Sequence, residues 1–374
     1  AFMMAAGAQA AYVEPGFKAT SSAAIAEAQR SFETAEYQKD WGLAAMHASK
    51  AYALGFNGKG VTVGVMDSGA LLNIHPDLMG DRFSVSKAEG VYGSIGNRYP
   101  QAVDKDKGAI GNPFDTKTEF NIDGNWKEGV NDFTAARGGN RDGSEFHGVA
   151  WGSHIIVGNT GATDDNNYGP FQDSKYFYTA WNNLADAITE ANKKAGNPDR
   201  GGVINNSWGT NTRVEDQKDT GHDGYNTGVH LNVNSAAETD YEFMLFAKRY
   251  GFDSTAGSDV SPNGHAETGS IMDDKSFVYS AYAAVKGKNI VQIMTTGNRD
   301  MKNPYYRALY PLYNPDAEKH WIAVAGLKQG SQAGSYELVK NFNEAGQGKW
   351  WTVAAPGNAI YSSTTDDHGN PGYA

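Results

Sequence analysis

What most constrains the fold is a set of short apolar runs, each stopping on a polar residue. The first, Val61-Thr-Val-Gly-Val-Met66, stops at Asp67, and Ser68-Gly69 turns the chain. A short β-branched run of this kind suits a strand buried on both faces of a parallel sheet. Gly201-Gly-Val-Ile-Asn-Asn206 ends in Ser207-Trp208-Gly209, and Asn289-Ile-Val-Gln-Ile-Met294 ends in Thr295-Thr296-Gly297-Asn298. His154–Gly158, Trp321–Val324 and Trp350–Ala355 read as further strands, the last closing on Pro356-Gly357. Tyr178, Trp181, Leu184 and Ile188 recur at helical spacing and predict a helix from Ser174 to Lys194; others are expected near 236–250 and over Phe277–Val285. Strand and helix alternate. That order predicts an α/β fold, a doubly wound, mostly parallel sheet with helices on both faces. In such a sheet the carboxyl ends of the strands share one edge, where ligands bind. A lone Asp-Ser-Gly is most simply a capped turn. Polar residues at one strand end after another point instead to a common cleft.

The flanking sequence completes the outline. Residues 1–10 are apolar and end in Ala8-Gln9-Ala10, as the tail of a secretory signal peptide does. Residues 11–39 read as a polar surface arm, and 40–374 as one domain. Asp40 to Gly55 reads as a helix with Trp41, Ala44 and Ala51 on one stripe and Gly55 as its stop. Residues 79–140 are long, polar and turn-rich, as functional loops and insertions are. The net charge of −11 argues against a nucleic-acid partner. With no cysteine, disulfides and thiolate metal sites are excluded. Gly55, Gly58 and Gly60 precede the first strand, so they are not a dinucleotide-binding turn, which follows one. No His-Glu-x-x-His pattern occurs, which leaves a metal-dependent hydrolase unsupported.

The blocks together resemble a subtilisin-like serine protease, a subtilase. Gly58-Lys-Gly-Val-Thr-Val-Gly-Val-Met-Asp67-Ser-Gly, followed by His75-Pro-Asp-Leu78, resembles the family's first catalytic block. Val203-Ile-Asn-Asn-Ser-Trp-Gly209 resembles its substrate-binding strand, and Thr295-Thr-Gly-Asn298 its oxyanion block. Ala354-Ala-Pro-Gly-Asn-Ala-Ile-Tyr-Ser-Ser363 resembles the run before the nucleophile. The opening Tyr12-Val-Glu-Pro-Gly16, the Asp40-Trp-Gly-Leu43 helix and Arg141-Asp-Gly-x-x-x-His147-Gly-Val-Ala150 resemble the protease passengers of Gram-negative autotransporters. The resemblance implies a subtilisin-like fold and catalysis by an Asp-His-Ser triad. Asp67 would orient the histidine and stabilise its imidazolium form. Asn298 would donate its amide to the oxyanion. Ser207, Trp208 and Gly209 would bind the peptide as an added strand, and Thr295, Thr296 and Gly297 would line the side-chain pocket.

Two pieces of that pattern are missing. The histidine block is expected between Asp67 and Gly148, where the chain reads Asn131-Asp-Phe-Thr-Ala-Ala-Arg-Gly-Gly-Asn140. His147 fits the run downstream of that block and reads as structural, as do His75 and His154. Phe133–Gly139 can be back-translated so that one restored base spells His-Gly-Thr-His-Val-Ala-Gly. A frame slip in the gene is therefore one explanation, which resequencing decides. The serine block would follow Gly372-Tyr373, where the given sequence stops at Ala374, so a C-terminally truncated domain is expected. The resemblance implies a secreted or cell-surface serine endopeptidase acting on proteins or peptides, with an autotransporter barrel beyond residue 374. The competing reading is a non-catalytic relative that binds peptides or a surface partner. No cofactor is required and no metal site is assigned; structural calcium is common in the family, and Thr163-Asp-Asp-Asn-Asn167 is oxygen-rich.

Overall fold

A computed structural model describes residues 21–67, 70, 72, 76–91, 113–115, 148–160, 174–208, 259–260, 266–267, 277–298, 300, 302–304, 306–365 and 371–373. The expected helix near 236–250 lies outside these residues, as do His75, His147, Gly209, 1–20, 131–140 and 163–167.

The N-terminal region is helical from the start of the described chain: α1 (Ser22–Phe32), α2 (Ala35–Lys39), α3 (Trp41–Ala45) and α4 (Ala48–Ala53). Side chains satisfy the free N–H groups at the starts of the first three. Ser21 accepts from the N–H of Ala24, Thr34 from Tyr37 and Asp40 from Gly42. Within the surface arm expected over 11–39, the described part from Ser21 is helical and partly packed inward: Ala28, Phe32 and Tyr37 are buried, and Phe32 packs on Tyr52. The single helix expected from 40 to 55 is broken at His47, whose φ of 55° leaves the right-handed region. That break turns the stripe. Leu43, Ala48, Tyr52 and Ala53 are buried, whereas Ala44 is exposed. Gly55 is the stop the sequence predicted. Its φ is 87°, its N–H reaches the Tyr52 carbonyl, and the Phe56 N–H reaches Ala51, a Schellman closure.

The central sheet contains β1 (Thr62–Asp67), β2 (Phe83–Val85), β3 (His154–Asn159), β4 (Gly202–Asn206), β5 (Ile290–Thr295), β6 (Trp321–Gln329), β7 (Tyr336–Leu338) and β8 (Thr352–Pro356). The order is β2-β3-β1-β4-β5-β6, all parallel, with β8 parallel and the short β7 antiparallel to β6. This is the mostly parallel α/β arrangement the alternation predicted. β2 came without an alternating pattern in the turn-rich stretch and was not foreseen. It pairs with β3 through Phe83↔Ile155. The chain runs from β1 to one side through β2 and β3, then crosses to β4 on the other side. β1 thus lies at the point where strand order reverses.

The pleat explains which side chains go where. Gly202, Ile204 and Asn206 of β4 and Ile290, Gln292 and Met294 of β5 are buried, alternating with half-buried neighbours. The buried set faces α5 (Ser174–Lys194) and α6 (Phe277–Val285). Phe177, Trp181, Leu184 and Ile188 form the seam of α5. Tyr178, expected on that seam, is 46% exposed, because Phe177, four residues before Trp181, takes the inward place. Full burial of each such side chain contributes roughly 1.5–3 kcal/mol.

The helix sits close because the strands offer it glycines. A Cβ at Gly64 would lie 2.9 Å from Ile188 Cδ1, one at Gly158 2.8 Å from Met66 Cε, and one at Gly202 2.5 Å from Ile188 Cγ2 and 3.0 Å from the Thr62 carbonyl. Because one of the Gly202 neighbours is backbone, the clash cannot be relieved by a side-chain turn alone. Gly202→Ala is expected to lower stability by about 1–3 kcal/mol in urea unfolding, and Ile188→Ala in the same chain should not add its full cost on top.

His154 opens β3, half-buried, with its Nε2 3.1 Å from Ser84 Oγ. Burial lowers its pKa below the usual histidine value, and the neighbouring Arg82 lowers it further. A folded-state pKa below the unfolded one means the unfolded chain binds the proton more readily. The contribution to stability is complete above about pH 6.5 and is lost as pH falls through the window beneath it. Urea midpoints measured from pH 7.5 down to 5 should fall less steeply for His154→Gln than for the unaltered chain.

Candidate active site

The carboxyl ends of β1, β4 and β5 lie along one edge at matched height. Val65 pairs with Asn205, so Asp67 and Ser207 stand level, two residues further on. Asn206 pairs with Met294, which brings Thr295 level with Ser207. Beside these ends opens a cleft of about 670 Å³. Asn205, Ser207, Thr295, Thr296 and Asn298 line one part of it; Asp40, Gly42 and Met46 line another, with Pro356, Gly357 and Ile360. Ser207 and Asn298 are exposed, Thr295 is half-buried and Thr296 is buried.

Local chemistry fixes the loop that carries Asn298. The Thr296 N–H donates to the Val324 carbonyl, and the Gly297 N–H to Thr295 Oγ1 at 3.2 Å. The Gly297 carbonyl accepts from Asn343 N–H at 2.8 Å. Gly297 has φ 114°, a backbone setting that L side chains rarely adopt, so a glycine is needed before Asn298. Beside the lining residues Asp40 and Gly42, the Trp41 indole donates to the carbonyls of Asn358 and Ala359, tying α3 to the loop after β8.

The sequence-derived residues divide. Ser207, Thr295, Thr296 and Asn298 come together in the cleft, and Gly297 shapes the loop between them. Asp67 is at the same edge but is 4% exposed and is not among the cleft-lining residues. Its carbonyl accepts from Thr160 N–H at 2.8 Å. Trp208 is not a wall of the cleft. Its ring is buried, stacked on Phe177 at 5.3 Å, with the Arg307 guanidinium 3.5 Å from the ring centre and its indole donating to the Met66 carbonyl at 2.9 Å. Any peptide contact from Trp208 would have to come from its backbone. The pleat gives the reason: Ser207 faces out, so its neighbour must face in.

Asn205 was missed. Its Nδ2 donates to Ser207 Oγ at 2.8 Å, and it lines the same cleft. The period of two along Asn205-Asn206-Ser207 was the signal that put it there. Met46 and Asp40 had no such signal, since they reach the cleft only through the packing of the N-terminal helices. Among the described residues there is no group of three or more His, Asp or Glu side chains able to hold a metal ion.

The model of the subtilase family, Peptidase_S8, matches residues 58–374. The chain belongs to the subtilase family. It is 27% identical over 371 residues to an "Extracellular serine protease" of Serratia marcescens, covering 98% of this chain and 28% of that protein. It is 24% identical over 325 residues to the "Neisserial autotransporter lipoprotein NalP" of Neisseria meningitidis serogroup B, covering 82% of this chain and 26% of that protein. Among solved structures, "Sphericase" aligns with 15% identity over 85% of this chain and 72% of that one, with a TM-score of 0.41. The chain therefore spans just over a quarter of the length of the curated relatives it matches.

The Trp208 indole makes a buried bond that phenylalanine cannot. Trp208→Phe leaves the Met66 carbonyl without that donor and should cost about 1–3 kcal/mol in urea unfolding, while an aromatic face stays against Arg307.

Proposed function

We propose that this chain carries the acid and the oxyanion-binding part of a secreted or cell-surface serine endopeptidase. The observation that carries the reading is the junction of Ser207, Thr295 and Asn298 in one cleft, in a chain of the subtilase family. In this mechanism a serine oxygen attacks the peptide carbonyl as histidine takes its proton. Asp67 holds the imidazole in the right tautomer and stabilises it once protonated. Asn298, exposed and next to a glycine that fixes the loop, donates its side-chain amide to the oxyanion of the tetrahedral intermediate. The segment Ser207–Gly209 offers main-chain groups to an extended substrate, and Thr295, Thr296 and Gly297 border the side chain before the scissile bond. No cofactor enters these steps, and any calcium would be structural. Its candidate ligands, Thr163–Asn167, lie outside the described residues.

The names of the relatives support an extracellular setting and, through the Neisseria protein, a membrane barrel as a partner. The second reading, a non-catalytic binder of peptides or of a surface partner, is favoured by one feature alone. Residues 131–140 do not contain the family's histidine block.

Residues 1–374 on their own lack an identified base and nucleophile, so the purified chain is expected to show no peptidase turnover. The check is release of fluorescence from a heavily labelled unstructured protein such as casein. Hydrolysis that a serine-reactive phosphonate blocks would overturn the expected inactivity and show that residues 1–374 already hold a working base and serine.

A further inference from the structure

Asn206 is the last residue of β4 in the ladder to β5, and the pleat sends its side chain away from the cleft. It is fully buried, and so is Gln292 on β5. Asn206 Oδ1 accepts from the Trp181 indole of α5 at 3.0 Å. Its Nδ2 donates to Gln292 Oε1 at 2.9 Å, with the carbonyls of Ile293 and Ile204 each at 3.2 Å. Gln292 Nε2 in turn donates to the Ala281 carbonyl of α6 at 2.8 Å. The chain of bonds runs from α5 through β4 and β5 to α6.

A core of this size has no need of two amides for stability. Apolar residues of similar volume would fill the space without the desolvation cost. What a connected polar network adds is direction: it is satisfied in one register and broken in its neighbours. Its position matters. Directly beyond it, Ser207 and Thr295 leave the ladder and enter the cleft, and the loop to Asn298 begins.

We propose that Asn206 is a positioning residue, which with Trp181 and Gln292 fixes the height of the peptide-binding rim at Ser207 against the Thr295–Asn298 loop. The proposal rests on the peptidase-like reading of the cleft for its purpose, but not for its geometry. A purely structural amide would affect global stability alone. A positioning amide also governs local opening at the rim.

The test uses the full 374-residue chain with the paired substitution Asn206→Leu and Gln292→Leu, which removes both amides together and leaves the buried Trp181 indole N–H without that acceptor. Hydrogen exchange is read at the amides of Ser207, Thr296, Gly297 and Asn298 under native conditions. Binding is read by polarisation of a fluorescein-labelled extended hexapeptide. The expected result is a folded double variant whose melting temperature is lowered only by the loss of that one acceptor. Its exchange at those amides should speed up at least tenfold more than at the amides of β1, and its peptide binding should be about tenfold weaker. Unchanged exchange in a stably folded double variant overturns the proposal. Should that variant fail to fold, Trp181→Phe keeps a ring in place and removes one donor. It should speed the same amides more than those of β1, and uniform acceleration would overturn the proposal. If the unaltered chain binds no hexapeptide, the reading of the cleft fails, while the exchange result still decides the role of Asn206.

Discussion

The close seating of one helix on a sheet sets the terms for everything else. Gly64, Gly158 and Gly202 lie on neighbouring strands and present no side chain to α5, so Leu184 and Ile188 come down onto the backbone itself. With the helix held at that distance, the pleat is pinned. One alternation of β4 and β5 must go to the helix layer, and the other is left for the opposite face. A strand slipped by one residue would send Asn205 and Ser207 into the core and bring Asn206 out. The cleft exists because that slip is blocked at several places at once.

From this constraint follows a division of labour along a few adjacent residues. In Asn205-Asn206-Ser207-Trp208, the odd positions meet in the cleft through the bond from Asn205 to Ser207 Oγ. The even positions bind inward, Asn206 to Trp181 and Gln292, and Trp208 to the Met66 carbonyl. Trp208 thus reaches the strand that bears Asp67, and Asn206 reaches the strand that leads to Asn298. Both ends of the candidate catalytic machinery are tied to the end of β4 and the two residues after it.

Much of this was legible beforehand, because strands buried between layers must be apolar and must end on something polar. Asp67, Ser207 and Asn298 could be placed at strand ends from composition alone, and the resemblance supplied their roles. The orientation of Trp208 was less legible. A family motif says that a residue belongs to a block, but only the pleat says which way its side chain turns. Tyr178 and Phe177 exchanged places for a like reason, since adjacent aromatics on a helix both fit a loose period. The break at His47 had no sequence signal, and with it went the stripe through Trp41, Ala44 and Ala51. Contacts made by the N-terminal helices, such as Met46 in the cleft wall, depend on docking over long separations. No local pattern encodes them.

The hydrogen bond from the Tyr373 hydroxyl to Asp77 Oδ1 joins residues 296 positions apart. Tyr373 also stacks on Tyr361 at 5.7 Å, with Lys39 the same distance from the Tyr361 ring centre. The bond to Asp77 sews the antiparallel pair Ser363–Thr365 and Pro371–Tyr373 to the turn that follows the first strand. A ribosome therefore delivers the two halves of this seam 296 residues apart. Closing so long a loop is slow compared with local helix formation. The strand β1 must wait, its carboxyl end unsealed, until Tyr373 has emerged.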